Sequence, residues 1–235
     1  ACKMSGLPVK KAGLIVAVEM FAVFEGWGQP DEIYEGRYFK LCRYDRYDMQ
    51  IFVARSGPGQ KNAGDAARML IDGIGVAELW NFGVAGGLTE AAHVGDVFVV
   101  SEVIRWDGVC GSGVFEADGA ERVRRCGCGA RPEAFRVDAP AGAADVRQGV
   151  LASGDSVVSA RGARLMLADI TGADIVDMEG AGIAAAAASG RYPCFMVKCV
   201  SDGIDTDEAM LTADFRRTAR RAFDAFDMIL KKSQV

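Results

Sequence analysis

Short apolar runs recur along the chain, each followed by glycine-rich or polar sequence. They are "GLIVAV" (13–18), "MQIFVAR" (49–55), "ELWNFGV" (78–84), "DVFVVSEVI" (96–104), "GVLAS" (149–153), "DIVDM" (174–178) and "CFMVKCVS" (194–201). Near-continuous Val, Ile, Leu and Phe of this kind suits strands covered on both faces rather than one. Between several of them the period changes to that of a helix. "NAGDAARMLIDG" (62–73) gathers Ala63, Ala66, Ala67, Leu70 and Ile71 on one side, and "DFRRTARRAFDAFDMILKK" (214–232) lays Phe215, Ala219, Ala222, Phe223, Phe226 and Ile229 in one stripe opposite arginines. "EGAGIAAAAAS", opening at Glu179, reads as a helix so small-sided that it must pack closely against a neighbour. Strands alternating with helices predict an α/β fold, a three-layer sandwich around a mostly buried sheet. The polar stretch "EIYEGRYFKLCRYDRYD" (32–48) predicts a hairpin-rich region, which makes that sheet mixed. One domain over 1–235 is expected, with 1–11 as a loosely ordered leader.

Composition narrows the partners. Half of the 235 residues are hydrophobic and a quarter charged, the balance of an ordinary globular protein, and the net charge of −5 argues against a general nucleic-acid binder. The one basic cluster, "ERVRRCGCGARPEAFR" (121–136), has no interleaved aromatics beyond Phe135 and reads as a solvated loop or a subunit contact. No apolar run reaches the roughly 20 residues of a helical membrane span. Seven scattered cysteines, an odd number, fit a soluble cytoplasmic protein, and the "CGCG" pair lacks the partners of a zinc site. The single histidine, His93, falls in a turn before a strand and is given a structural role; no metal or cofactor is implied.

Ligands of open α/β sheets bind beyond the carboxyl ends of the strands. That rim holds Glu19, the loop 55–64 ("RSGPGQKNAG"), 83–88 ("GVAGGL"), 153–158 ("SGDSVV"), Glu179 and 201–205 ("SDGID"). The glycine loops suit close backbone approach to a ligand, or simply tight strand–helix packing, and match neither the dinucleotide nor the P-loop pattern. Taken singly, Glu179 reads as an acid favoured by a helix dipole, and Asp202 and Asp155 as turn acids. Taken together, acids at several ends of one sheet suit cleavage of a glycosidic bond through a cationic sugar, one carboxylate holding ribose hydroxyls and one acid protonating the leaving base.

"GLIVAVE", "SGPGQKNA", "GVAGGL…GD", "SGDSVV", "DMEGAGIA" and "VSDG" occur in the order and spacing of the nucleoside phosphorylase/nucleosidase superfamily. From about residue 13 to 230 the chain most resembles 5′-methylthioadenosine/S-adenosylhomocysteine nucleosidases. The resemblance implies a nucleoside phosphorylase-like fold. In it Glu179 binds the ribose hydroxyls beside Met178, and Asp202, placed by Ser201, protonates or hydrogen-bonds purine N7. Val157 and Val158 meet the base. Three positions depart from the pattern, all on the nucleophile side of the sugar: the water-activating acid falls on Phe21, with Glu19 two residues earlier; a small hydroxyl residue is Val84; and an arginine is Lys198, which keeps the charge but loses the bidentate fork. The expected catalytic set is therefore Asp202, Glu179 and Glu19.

Three readings follow: a nucleosidase using water; a phosphorylase taking phosphate as co-substrate at Lys198, Arg55 or the 56–64 loop; and a nucleoside-binding relative without catalysis. The resemblance also implies a homo-oligomer, dimer favoured over hexamer. The apolar, glycine-rich "VIRWDGVCGSGVF" (103–115), with Trp106, is the expected interface.

Overall fold

The computed structural model describes residues 9–17, 21–36, 40–107, 132–205 and 215–234, without the side chains of Phe21 and Ala22. Each apolar run becomes a strand. β1 (Lys10–Val16), β4 (Met49–Arg55), β5 (Glu78–Gly87) and β10 (Cys194–Asp202) run parallel. β2 (Glu32–Glu35) and β3 (Lys40–Arg46) extend the sheet antiparallel to β4, which gives the expected hairpin region. Beyond β5 lie β6 (Val97–Arg105), β7 (Glu133–Arg136), β8 (Gln148–Ser153) and β9 (Ile175–Asp177). The sheet is mixed, as the sequence predicts, but it does not stay open. β5 pairs with β10, β10 with β6, β6 with β8, β8 with β9, and β9 returns to β5, so five strands close into a ring.

Helices cover both faces. α1 (Gln60–Arg68), prolonged by a wider turn through Ile74, and α3 (Gly180–Gly190) pack on one face; α4 (Phe215–Lys232) packs on the other. α4 buries Ala219, Ala222, Phe223, Phe226, Ile229 and Leu230, the predicted stripe with its i, i+3, i+4 spacing. The small-sided α3 finds the close neighbour its sequence requires. A Cβ on Gly182 would lie 2.0 Å from the Gln60 carbonyl oxygen at the start of α1, and one on Gly64 would lie 3.2 Å from the Gly182 carbonyl oxygen. α2 (Arg161–Thr171) covers the outer side of β8 and β9.

Three details differ from expectation. Residues 133–136 of the basic cluster are not loop but strand β7, paired with β6; residues 121–131 lie outside the described residues. Lys10 and Lys11, read as leader, already pair with Met49 and Gln50. Trp106, expected at an interface, is buried within the chain against Gly154, where a Cβ would meet its indole ring at 2.4 Å; residues 108–115 lie outside the described residues. His93 is exposed in a turn, its N–H donating to Asp96 at 3.0 Å.

The turn between β3 and β4 places Tyr47 and Asp48 at φ 53° and 57°, the left-handed geometry that a two-residue hairpin of this twist demands. A tyrosine there is unusual. Its hydroxyl donates to Asp227 of α4 at 2.7 Å, and the Trp27 indole donates to the same carboxylate at 2.6 Å. Burial and that carboxylate push the Tyr47 phenol up to about 12. Cys42, Cys194 and Cys199 are buried and free; burial raises the Cys194 thiol to about 12 and Cys199 to about 11, far from a reactive thiolate. Among the described residues no helix is long and apolar enough to cross a membrane.

Candidate functional site

Six strand ends converge on a cavity of about 230 Å³. Ala17 follows β1, Pro58 follows β4, Val84 to Gly86 end β5, and Ser156 to Val158 follow β8; Val176 to Glu179 run from β9 into α3, and Ser201 and Asp202 end β10. Arg164, from α2, completes the wall. Of the residues singled out in the sequence, Glu179, Met178, Asp202, Ser201, Val157, Val158 and Val84 are thus brought into one cavity. Glu19 and the side chain of Phe21 lie outside the described residues. Arg55 is exposed and Lys198 is buried, and neither lines the cavity.

The acid end of the cavity is built by a strand irregularity. The β10–β5 register slips between Val200 and Asp202, and such a bulge re-aims the side chains around it. Asp202, 8 % exposed, is held on both oxygens: the Ser201 hydroxyl donates to Oδ1 at 2.6 Å, and the Arg164 guanidinium pairs with Oδ2. Gly86 faces this pair, and a Cβ there would come within 3.1 Å of Oδ2. Arg164 itself is only 2 % exposed. A charge that deep is sustained only by partners, and Arg164 has several: Nε donates to the Val158 carbonyl at 2.9 Å, and Nη1 to the carbonyls of Gly87 at 3.1 Å, Asp202 at 3.2 Å and Gly203 at 2.9 Å.

Glu179 occupies the cap position of α3, yet its side chain does not cap the helix. That task belongs to Asp177, which accepts the Gly180 N–H at 3.1 Å and the Glu179 N–H at 3.3 Å. Asp177 is in turn paired with Lys198 at 2.8 Å, both side chains almost fully buried. The helix-dipole explanation for the acid therefore fits Asp177, and the Glu179 carboxylate is turned to the cavity, where it accepts the Gly59 N–H at 3.0 Å.

Asp155 is not brought into the cavity. It accepts the Gln60 N–H at 2.7 Å, fixing the start of α1, while its own N–H donates to Asp107 at 2.8 Å. The Gln60 side chain joins the same network, donating to Asp107 at 2.7 Å and accepting from Arg105 at 2.9 Å. The loop that presents Gly59 to Glu179 is thus pinned from behind. Sequence reasoning missed Arg164 and Asp177. The signal for Asp177 was present, an Asp three residues before the first buried helical glycine; for Arg164 it was a lone arginine on the Ala163–Leu167 face of α2. Among the described residues no group of three His, Cys, Asp or Glu could hold a metal ion.

The family model described as "Phosphorylase superfamily" matches residues 17–233. A 5′-methylthioadenosine/S-adenosylhomocysteine nucleosidase of Treponema pallidum (strain Nichols) is 28% identical over 202 residues, covering 74% of this chain and 75% of that protein. An aminodeoxyfutalosine nucleosidase of Campylobacter jejuni is 25% identical over 167 residues, 70% of this chain and 72% of its own. Among solved structures, the Helicobacter pylori 5′-methylthioadenosine/S-adenosyl homocysteine nucleosidase superposes with a TM-score of 0.81 at 20% identity, over 96% of this chain and 100% of that one.

Proposed function

The chain belongs to the phosphorylase superfamily, and from that premise we propose that it hydrolyses the N-glycosidic bond of a purine nucleoside, an adenine nucleoside such as 5′-methylthioadenosine or S-adenosylhomocysteine. The observation that carries this reading is the meeting of Glu179, Met178, Ser201 and Asp202 in one cavity. Breaking the bond between the sugar and N9 builds positive charge on the ribose and negative charge on the base. A carboxylate on the sugar and an acid on the base each meet charge that exists only in the transition state, so both lower the barrier more than they tighten substrate binding. Glu179 accepts hydrogen bonds from the ribose hydroxyls over Met178. Asp202, steadied by Ser201, protonates or hydrogen-bonds N7 as the base departs. Val157 and Val158 flank the base. Water attacks the sugar carbon, and Glu19 is the acid assigned to orient it.

The named relatives that act as nucleosidases support hydrolysis over phosphorolysis. Phosphorolysis would also call for cations turned to the sugar, whereas Arg164 and Lys198 are committed to Asp202 and Asp177. The reaction calls for no cofactor. A cytoplasmic setting is supported by the free, buried cysteines, and assembly as a homo-oligomer, a dimer or a hexamer, rests on the resemblance alone.

The test is release of free base from methylthioadenosine, adenosylhomocysteine, adenosine and inosine, with and without phosphate. Adenine should appear at a rate indifferent to phosphate. Asp202→Asn should lower turnover by about 10²–10⁴-fold, the usual worth of a general acid, and Glu179→Gln should narrow the preference for adenosine over 2′-deoxyadenosine. Phosphate-dependent release would establish the phosphorylase instead. Calorimetric binding without any release would establish a binding protein.

A further inference from the structure

We propose that Gln60 and Asp107 are positioning residues that set how strongly the site selects a ribose, because they fix the Gly59 amide that holds Glu179. The inference deepens the nucleosidase reading and rests on the ribose role of Glu179. Its observation is separate. Gly59 has φ 98° and ψ 150°, backbone that glycine alone adopts readily. A Cβ there would also come within 3.3 Å of Asp155 Oδ1. That conformation aims the Gly59 N–H at Glu179 Oε1, 3.0 Å away. The peptide that follows is held at both ends: its carbonyl accepts the Ala63 N–H at 3.1 Å, and its N–H, that of Gln60, donates to Asp155 at 2.7 Å.

Starting α1 calls for no more than the Asp155 carboxylate. Yet the Gln60 side chain, 8 % exposed, donates to Asp107 Oδ2 at 2.7 Å and accepts from Arg105 at 2.9 Å. The same Asp107 oxygen accepts the Asp155 N–H at 2.8 Å, so the residue that holds Gln60 is itself held from the end of β6. A buried amide is tolerated when its bonds are made, and here those bonds lock a glycine in an uncommon conformation. Two remote segments thus converge on one N–H. A carboxylate reads the ribose hydroxyls and meets the developing cation only while its oxygens stay on the diol. Misplacing such a group by about 1 Å can cost roughly 10²-fold in rate, and supporting hydrogen bonds act by preventing it.

The experiment is a double-mutant cycle read on two substrates. Gln60→Met keeps the length of the side chain and deletes both its bonds. Arg105 retains Glu133 at 2.6 Å and the Ala181 carbonyl at 3.4 Å, and Asp107 retains the Asp155 N–H. Asp107→Ala breaks the network from its other end. Each is made in wild type and in Glu179→Ala, with folding checked by circular dichroism and thermal unfolding. Release of adenine from adenosine and from 2′-deoxyadenosine gives kcat/KM. In wild type either change should lower the value for adenosine by about tenfold or more, and for 2′-deoxyadenosine by less than about threefold. In the Glu179→Ala background each should cost less than about twofold. A network that only stabilises the fold would lower both substrates alike and in both backgrounds, and that result would overturn the proposal. So would failure of both variants to fold, or a wild type indifferent to the 2′-hydroxyl. If wild type releases no base, the nucleosidase reading fails, and calorimetric binding of the two nucleosides decides the positioning claim by the same comparison.

Discussion

Gly182→Ala perturbs the contact on which the glycine loop rests. Alanine is the better helix former by about 0.8–1.0 kcal/mol, so propensity alone predicts a more stable protein. The contact predicts the opposite. The new Cβ would sit 2.0 Å from the Gln60 carbonyl oxygen and 2.8 Å from its carbon, whereas ordinary van der Waals contact begins at 3.4 Å. About 1.4 Å must therefore be made between α1 and α3, and the obstacle is backbone, which cannot rotate aside as a side chain would. Overpacking of this kind costs about 1–3 kcal/mol and occasionally more; with immovable backbone the upper end applies. Subtracting the propensity gain leaves a net loss of about 2 kcal/mol, or roughly 4–8 °C in melting temperature for a chain of this size. The loss should also be local. Pushing Gln60 away draws the adjacent Gly59 N–H from Glu179, now 3.0 Å distant, so that amide should lose protection from hydrogen exchange before the sheet does. Urea unfolding measures the first effect and amide exchange by NMR the second. A Gly182→Ala protein as stable as wild type, with the Gly59 amide equally protected, would refute the reasoning.

Lys198→Met should destabilise by about 3–5 kcal/mol, since it strands Asp177 as a buried charge. Adding Asp177→Asn should recover part of that loss, and a single mutant within about 1 kcal/mol of wild type would deny the pair its importance. Tyr47 predicts an alkaline limit. Its phenol titrates at about 12 folded against 10.0 as the ordinary value, so the stability it lends is complete below pH 10 and is lost as pH climbs toward 12. Tyr47→Phe should flatten that stretch of the stability curve, followed by thermal melts between pH 9 and 12; an unchanged slope would count against the Asp227 contact.

The strands were legible because they are buried on both faces, which leaves an unbroken apolar signature whatever the neighbours are. β7 carried no such mark: its side chains are half-buried or exposed, and only pairing with β6 makes it a strand. The meeting of Glu179 and Asp202 followed from the rule that strand ends share a rim. The same rule over-reached for Asp155, because the free N–H groups at the start of α1 claimed its carboxylate first. Arg164 was hidden by the ordinary expectation that arginine faces water. The closing of the sheet into a ring was not legible at all, because no local period encodes which distant strands will pair.

That ring sets the order in which the protein can come into being. β10 enters between β5 and β6 to complete it, and the hydrogen bond from Ser201 to Ala85 joins positions 116 residues apart. Contacts of such long sequence separation carry the loop-closure entropy that slows folding. Synthesis runs from the N-terminus, so the loop holding Gly59 exists long before the carboxylates that will face it. Until β10 is inserted, β5 and β6 each present an unpaired edge, the feature that makes folding intermediates prone to associate. The pocket thus cannot exist before β10 is in place.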